Sequence, residues 1–308
     1  MIKDNLPEKL TERLRDGHIA IFLFHGVIKK QSHAVRNYTG KHIESELFAR
    51  CIQRLKSVGT SLTMDQVLYY HQSNDVIPKN AFAITFDDGF ENNLSIAAPI
   101  LFAENVSATI YITTSFVENN CMSWIDLIEH AVEETSLDKY RSNWSEMIYD
   151  LSTTEGRIDF LKEVRRYVKG SSVCSPIQFA DLLCTELGIE NVPESLDLLD
   201  KKLTWDQIKS MNSNDLISFG GHSHTHPILS YLSENELRRE VSISLDLLKS
   251  KGHVGPTHYS YPEGQEYCFS DQVISVLKEH GVECCPTAID GVNNNRIDPF
   301  HLKRILVA

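Results

Sequence analysis

The chain has 308 residues, of which 42% are hydrophobic, so it is long enough to bury a sizeable core. Its formal net charge of −12 excludes a broadly basic surface, and neither nucleic acid nor an anionic membrane is an expected partner. No stretch approaches the roughly 20 apolar residues of a membrane span. The charged N-terminus lacks the apolar centre of a signal peptide, and the seven cysteines lack paired spacing. These features lead us to expect a cytoplasmic protein with reduced thiols.

Short apolar runs that alternate with helical patterns indicate an α/β fold. The runs that predict buried strands lie at 19–24, 82–86, 108–113, 216–219, 258–261 and 302–307. Runs that are apolar at every position suit a parallel sheet covered on both faces. The predicted helices include 43–58, a helix after the capping-box sequence at 233–236, and 270–280. The alternation favours an α/β barrel or a layered sheet.

The segment from about residue 121 to 202 has a different pattern. Its apolar residues recur at helical spacing over 125–134, 144–151, 158–168 and 177–187, and none of its runs indicates a strand. We therefore expect one catalytic domain, 1–308, with a mostly helical insertion at about 121–202. Such an insertion would serve as a lid or as a wall of the substrate cleft.

Two adjacent carboxylates end the apolar run at 83–86. Asp87 and Asp88 are followed by Gly89, which is also the composition of an ordinary turn. At the C-terminal end of a strand, however, neighbouring side chains can reach into one cleft. One of the two aspartates could then bind a metal while the other acts as a base.

A histidine cluster supplies the remaining ligands of such a site. His222 and His226 are four residues apart, so a helical turn or a compact loop would bring both imidazoles to one side. With one aspartate they form a set that leaves metal positions open, which is typical of catalytic zinc. His224 is expected to point away. A solvated loop explains the histidines alone, but the joint occurrence of both motifs favours a metal site.

The motifs resemble those of a known family. The sequence TFDDG at 85–89 is similar to the first motif of the polysaccharide deacetylases (carbohydrate esterase family 4, the NodB homology domain). HSHTHP at 222–227 is similar to their second motif, and YSYPEG at 259–264 resembles the third, in the form found in surface-polysaccharide biosynthesis. The resemblance extends from about residue 22 to 307 and implies a distorted (β/α) barrel.

The resemblance also implies roles for individual residues. Asp87 would be the base that takes a proton from the attacking water, and the backbone N–H of Glu263 would stabilise the oxyanion. The residues that would hold a divalent metal, most often zinc, are Asp88, His222 and His226.

Three further positions are candidates where the chain departs from the family pattern. Tyr259 and Glu263 stand where other members carry an arginine and an aromatic residue, so Arg304 is a candidate for orienting the base or binding substrate. The late histidine motif that supplies the general acid has no clean match, and His301 is the nearest candidate by position. His25 ends the first strand and is a candidate for a role in the cleft.

The expected activity is that of a metal-dependent hydrolase that removes an N-acetyl group from an amino sugar or glycan precursor. The expected cytoplasmic location favours a nucleotide-linked or lipid-linked sugar as the substrate. The alternatives are a deformylase, an amidase that acts on a non-sugar amide, and a carbohydrate-binding pseudoenzyme.

Overall fold

The computed structural model describes residues 5–73, 75–170, 175–189 and 197–308. The first part of the chain forms α1 (Leu6–Thr11), β1 (Ile19–Phe24), β2 (Gly26–Ile28), β3 (His42–Glu44), α2 (Ser45–Val58), β4 (Thr60–Ser61), α3 (Met64–Gln72), β5 (Ala81–Phe86), a π-helical turn (Asn93–Ala97), α4 (Ala98–Ala103), β6 (Ala108–Ile112) and α5 (Thr114–Asn119). The second part forms α6 (Trp124–Glu134), β7 (Lys139–Arg141), β8 (Ile148–Asp150), α7 (Thr154–Gly170), α8 (Pro176–Glu186), α9 (Trp205–Met211), β9 (Ile217–Gly221), α10 (Glu234–Lys251), α11 (Asp271–Glu279) and β10 (Ile305–Leu306). Within these ranges, none of the helices has both the length and the apolar character of a membrane span.

Parallel strands form the central sheet, in the order β10–β1–β5–β6–β9, with β4 beside β5. β1 and β5 pair over their full length, with Ile19 opposite Ala81 and Phe24 opposite Phe86. Every residue of both strands is buried, as expected for a sheet that is covered on both faces. The strands predicted first along the chain are confirmed to within two residues at each end, at 19–24, 82–86, 108–113 and 216–219.

Isolated parallel bridges connect the two ends of this sheet. They are Gly221–Tyr259, His258–Cys284 and Pro286–Leu302. The segments predicted as strands at 258–261 and 302–307 therefore take part in the ring, although regular strand is confined to β10. The sheet thus closes into the predicted distorted (β/α) barrel, and the C-terminal ends of its strands share one rim.

The helices pack their apolar faces against the sheet. In α2 the ring of Phe48 lies edge-on to Phe24, with centroids 5.3 Å apart. This helix begins at Ser45 and not at the predicted residue 43, because residues His42–Glu44 pair with β2 as β3. The predicted capping box at the start of α10 is present, with the Ser233 hydroxyl and the Glu236 carboxylate facing each other.

The segment α6–α8 packs around a core of its own, whose centre is Phe160. Three of its four predicted helices are confirmed as α6, α7 and α8. The helix predicted over 144–151 is wrong, as is the expectation that this segment contains no strand, because β8 pairs with β7 in antiparallel register. Trp144 and Tyr149 both pack on Phe160 from this hairpin, and so short an apolar run does not distinguish strand from helix. The insertion boundaries at 121 and 202 stay a prediction.

Candidate metal centre and active site

Asp87 and Asp88 follow β5 directly, and His222 follows β9. Because β5, β6 and β9 are parallel neighbours, their C-terminal ends bring these residues to the same rim of the barrel. Asp88 has a φ of 74° and Gly89 a φ of 71°, so the chain turns sharply at the second carboxylate. A left-handed conformation is unfavourable for aspartate, and such strain is concentrated at functional sites.

The two predicted histidine ligands face Asp88. His222 Nδ1 forms a hydrogen bond with the Ser260 carbonyl at 2.8 Å, which leaves Nε2 free to face Asp88 Oδ1 at 3.7 Å. His226 Nε2 lies 3.4 Å from the same oxygen. The ring of His224 has a different partner, Thr114 Oγ1 at 2.9 Å. The loop therefore directs two imidazoles to one carboxylate oxygen and the third away from it.

This set fits a divalent cation. One ligand atom from each of Asp88, His222 and His226 lies within 4.8 Å of the others. Asp88 Oδ1 is buried, and it has no hydrogen-bond partner in the part of the chain that the structure describes. Burial would raise the pKa of Asp88, but Lys41 and the imidazoles hold it well below its usual value, and burial lowers the pKa of His226. An anionic carboxylate beside neutral imidazoles is the form that binds metal, and three ligands leave a position open.

Arg304 holds the other aspartate in a fork. Its Nη1 and Nη2 donate to Asp87 Oδ1 and Oδ2, each at 2.8 Å. The guanidinium is fully buried and also donates from Nε to the Thr287 carbonyl at 2.6 Å and from Nη2 to Ser260 Oγ at 2.8 Å. Burial would raise the pKa of Asp87, but Arg304 and His222 lower it below its ordinary value. Arg304 thus contacts Asp87 and is not a surface residue.

Glu263 lies at the mouth of this site. Its φ of 59° is left-handed, and its backbone N–H donates no hydrogen bond within the described residues. The side chain is one-quarter exposed and forms an ion pair of 2.6 Å with Lys169 of α7. Burial would raise the pKa of Glu263, whereas Lys169 lowers it. A free N–H at this position suits the predicted oxyanion role, and the side chain contacts the helical segment.

His25 and His301 have different surroundings. Burial lowers the pKa of His25 to about 4, against the opposing influence of Asp88. Its Nδ1 is buried and has no partner among the described residues. His301 is 46% exposed, and its ring faces Asp298 at 3.7 Å and Phe269. Phe24 is opposite Phe86, so His25 follows β1 at the same rim where Asp87 follows β5, whereas His301 contacts Asp298 and Phe269.

A lysine at the centre, with 15% of its side chain exposed, was not predicted from the sequence. Lys41 Nζ lies 3.1 Å from Asp88 Oδ2 and 3.1 Å from Asp126 Oδ1. A second lysine, Lys202, is buried and lies 3.9 Å from Asp126 Oδ2 and 3.3 Å from the centroid of the Phe90 ring. The sequence carries no signal for this cluster, because an isolated lysine in a loop is normally a solvated residue.

Several solved structures share the fold of this chain. None of the curated proteins matches the chain. A deacetylase of Streptococcus pyogenes, PplD, solved in complex with acetate, has 18% identity and a TM-score of 0.61, over 95% of this chain and 93% of that one. IcaB from Ammonifex degensii has 15% identity and a TM-score of 0.60, over 96% and 93% of the two chains. A de-N-acetylase from Aggregatibacter actinomycetemcomitans has 14% identity and a TM-score of 0.60, over 94% and 95%.

At these identities the neighbours establish the fold. The sequence profile of the family described as Polysaccharide deacetylase matches residues 75–285, which is more than half of the chain. The matched range contains both aspartates and the histidine cluster. This chain belongs to the polysaccharide deacetylase family, whose members are hydrolases that act on the carbon–nitrogen bonds of N-acetylated sugars.

Proposed function

We propose that this protein is a metal-dependent hydrolase that removes an acetyl group from an N-acetylated amino sugar of a glycan or glycan precursor. The observation that carries the proposal is the division of the aspartate pair. Asp87 has both oxygens bonded to Arg304, whereas Asp88 presents to two imidazoles a buried oxygen that has no hydrogen-bond partner among the described residues. The first arrangement suits a base that stays ionised, and the second suits a metal ligand.

The donor set favours zinc as the cation. Two imidazoles and one carboxylate form a borderline-soft set of three ligands, which is the composition of catalytic zinc sites. When bound, the metal would lower the pKa of a water molecule and polarise the amide carbonyl. Asp88, His222 and His226 would hold it.

Side chains and backbone groups of the protein carry out the proton transfer and stabilise the oxyanion. Asp87 takes a proton from the attacking water as the oxygen bonds to the carbonyl carbon. The lowered pKa of Asp87 keeps this carboxylate ionised at neutral pH, and Arg304 fixes its direction. The Glu263 N–H donates to the oxygen that gains negative charge.

The amine that leaves must gain a proton when the carbon–nitrogen bond breaks. His25 is the better candidate for passing this proton, because it follows β1 at the rim where Asp87 follows β5, while His301 contacts Asp298 and Phe269. With its lowered pKa, His25 would relay the proton that Asp87 received and not carry one of its own. One proton of the water reaches the leaving amine through Asp87 and His25, and the other is left by the acetic acid at neutral pH and taken up by the amine. The products are therefore acetate and the protonated amino sugar, and the proton count balances.

The test is product release from defined substrates. Metal-free protein reloaded with Zn²⁺ would be incubated with N-acetylated and N-formylated amino sugars, as monosaccharides, oligomers and nucleotide-linked or lipid-linked forms, and acetate and formate would be measured. We expect acetate from the amino sugars. Formate as the preferred product would identify a deformylase, and turnover of simple non-sugar amides alone would identify a general amidase. Binding without turnover of any substrate would identify a pseudoenzyme. Preference for the nucleotide-linked sugar would support the predicted cytoplasmic location.

A further inference from the structure

Lys41 lies between two carboxylates. Its side chain is 15% exposed, and Nζ is 3.1 Å from oxygens of both Asp88 and Asp126. The ammonium group also lies 4.7 Å from the centroid of the Phe90 ring. Lys41 thus bridges the two carboxylates.

Lys41 places the two oxygens of Asp88 in different surroundings. Oδ2 is held by Lys41, whereas Oδ1 lies 3.4 Å from His226 Nε2 and has no hydrogen-bond partner among the described residues. A carboxylate that is free to rotate can bind a divalent cation with both oxygens. Two-oxygen binding would fill a position that catalysis needs for water or substrate. A carboxylate tied at Oδ2 offers one oxygen only.

Lys41 is itself held by the helical segment. Asp126 stands in the first turn of α6, where its backbone N–H and its carboxylate both bond with the N-cap residue Ser123. Lys202 lies on the other side of Asp126, at 3.9 Å from Oδ2. Negative and positive groups thus alternate from Asp88 through Lys41 and Asp126 to Lys202. Alternation lets each buried charge face an opposite one.

We infer that Lys41 is a positioning residue that limits Asp88 to one-oxygen coordination and so keeps a metal position open, and that Asp126 of the insertion holds Lys41 in place. The inference rests on the proposed role of Asp88 as a metal ligand. If the inference holds, the predicted insertion contributes to the metal centre through Asp126, in addition to lining the cleft.

Binding of Co²⁺ alone, without substrate, tests the inference. Metal-free wild type, Lys41→Met and Lys41→Arg would each be titrated with Co²⁺, and the dissociation constant and the visible absorption would be recorded. We expect Lys41→Met to bind Co²⁺ at least as tightly as wild type, because a neighbouring positive charge is gone. Its absorption per bound ion should fall, because the additional carboxylate oxygen raises the coordination number. Lys41→Arg should retain the wild-type spectrum, since a guanidinium can hold Oδ2.

Kinetics of the Zn²⁺ forms supply the second readout. In Lys41→Met we expect kcat to fall about 10–100-fold, the usual effect of losing a group that orients a ligand, with a much smaller change in KM. Lys41→Arg should recover most of kcat. Asp126→Asn should shift the Co²⁺ spectrum in the same direction as Lys41→Met. Lys251→Met is the matched control, because Lys251 also pairs with a carboxylate, Glu118, but at the surface.

Each outcome decides for or against the inference. A wild-type Co²⁺ spectrum in folded Lys41→Met would overturn it, even if activity fell. Failure of that folded variant to bind Co²⁺ would also overturn it, because Lys41 would then be needed for the ligand set as a whole. If Lys41→Met does not fold, Lys41→Gln and Asp126→Asn carry the same spectral test. Failure of the proposed function would be seen separately, as wild type that binds no metal or releases no acetate.

Discussion

The two aspartates of the cleft stand in surroundings of opposite kinds. Asp87 is held by Arg304 and Ser260, both from the barrel itself, and both of its oxygens are paired. Asp88 is held by Lys41 from a loop, and one of its oxygens has no partner in the described chain. The carboxylate of Asp87 therefore has all its charge paired within the described residues, whereas Asp88 Oδ1 has no hydrogen-bond donor there.

This difference shows how a single barrel rim can serve two chemical needs. A base must keep one orientation and one charge throughout, and a buried guanidinium fork provides both. A metal ligand must leave a donor unsatisfied until the cation arrives, which costs free energy in the metal-free protein. Asp126 of α6 and the buried Lys202 supply the charges around Lys41 and Asp88.

The largest expected effect distinguishes the proposed roles of Asp87 and Asp88 by kcat and metal content. Asp87→Asn should keep its metal and lose about 10²–10⁴-fold in kcat, the usual contribution of a general base. Asp88→Asn should instead lose metal affinity, because a neutral amide replaces the anionic ligand. Metal content by atomic absorption and acetate release by a coupled assay would measure both. Asp290→Asn is the control, since Asp290 pairs with Arg13 at the surface. Loss of metal in Asp87→Asn would mean that the two roles are reversed.

The second prediction concerns the contribution of the buried Arg304–Asp87 ion pair to stability. Arg304→Met removes one partner of a buried ion pair and leaves Asp87 uncompensated, so the free energy of unfolding should fall by about 3–5 kcal/mol. Urea unfolding at neutral pH would measure it. Arg238→Met is the control, because Arg238 bridges Glu234 and Glu279 on the surface and should change stability far less. Equal losses in the two variants would contradict the distinction between a buried fork and a surface pair.

The sequence predicted the placement of Asp87, Asp88 and the histidine pair better than that of the groups around them. Asp87, Asp88 and His222 follow apolar runs whose strands could be located from pattern alone, and the family motifs added their roles. Arg304 could be named as a candidate, but its partner could not, because contact across the barrel depends on how the ring closes. Lys41 and Asp126 are 85 positions apart and meet only because α6 packs against the loop before β3. Local patterns carry no information on such long-range pairs.

The same limit explains the wrong helix at 144–151. The residues of β8 are paired with β7, so their conformation is decided by a partner strand and not by their own spacing. The long, strongly amphipathic helices α6 and α7 needed no such partner and were predicted well. Segments in which the local pattern is sufficient were therefore predictable, and segments stabilised by a distant partner were not.

A smaller effect tests whether His25 belongs to the buried centre. Burial lowers its pKa from 6.5 to about 4, so between these pH values the unfolded chain binds more protons than the folded one. The free energy of unfolding of the metal-free protein should therefore fall as the pH is lowered from 6.5 to 4. His25→Gln should flatten this dependence, and the control His253→Asn, at an exposed left-handed position, should not. The same slope in wild type and His25→Gln would show that His25 is solvated.

The smallest effect concerns Glu263, whose side chain pairs with Lys169 of α7. Removal of an oxyanion donor costs about 10²–10³ in kcat, but the donor proposed at Glu263 is the backbone N–H. Glu263→Gln keeps that N–H, so kcat should change far less, and KM should carry most of the difference because the Lys169 ion pair at the cleft mouth is lost. Lys169→Met breaks the same pair from the other side and should give a matching KM. Steady-state kinetics on one N-acetylated oligosaccharide would compare the two. A loss of kcat in Glu263→Gln as large as that of a missing donor would mean that the carboxylate itself takes part in the reaction. The reaction would then depend on α7 as well, because Lys169 of this helix holds the Glu263 carboxylate.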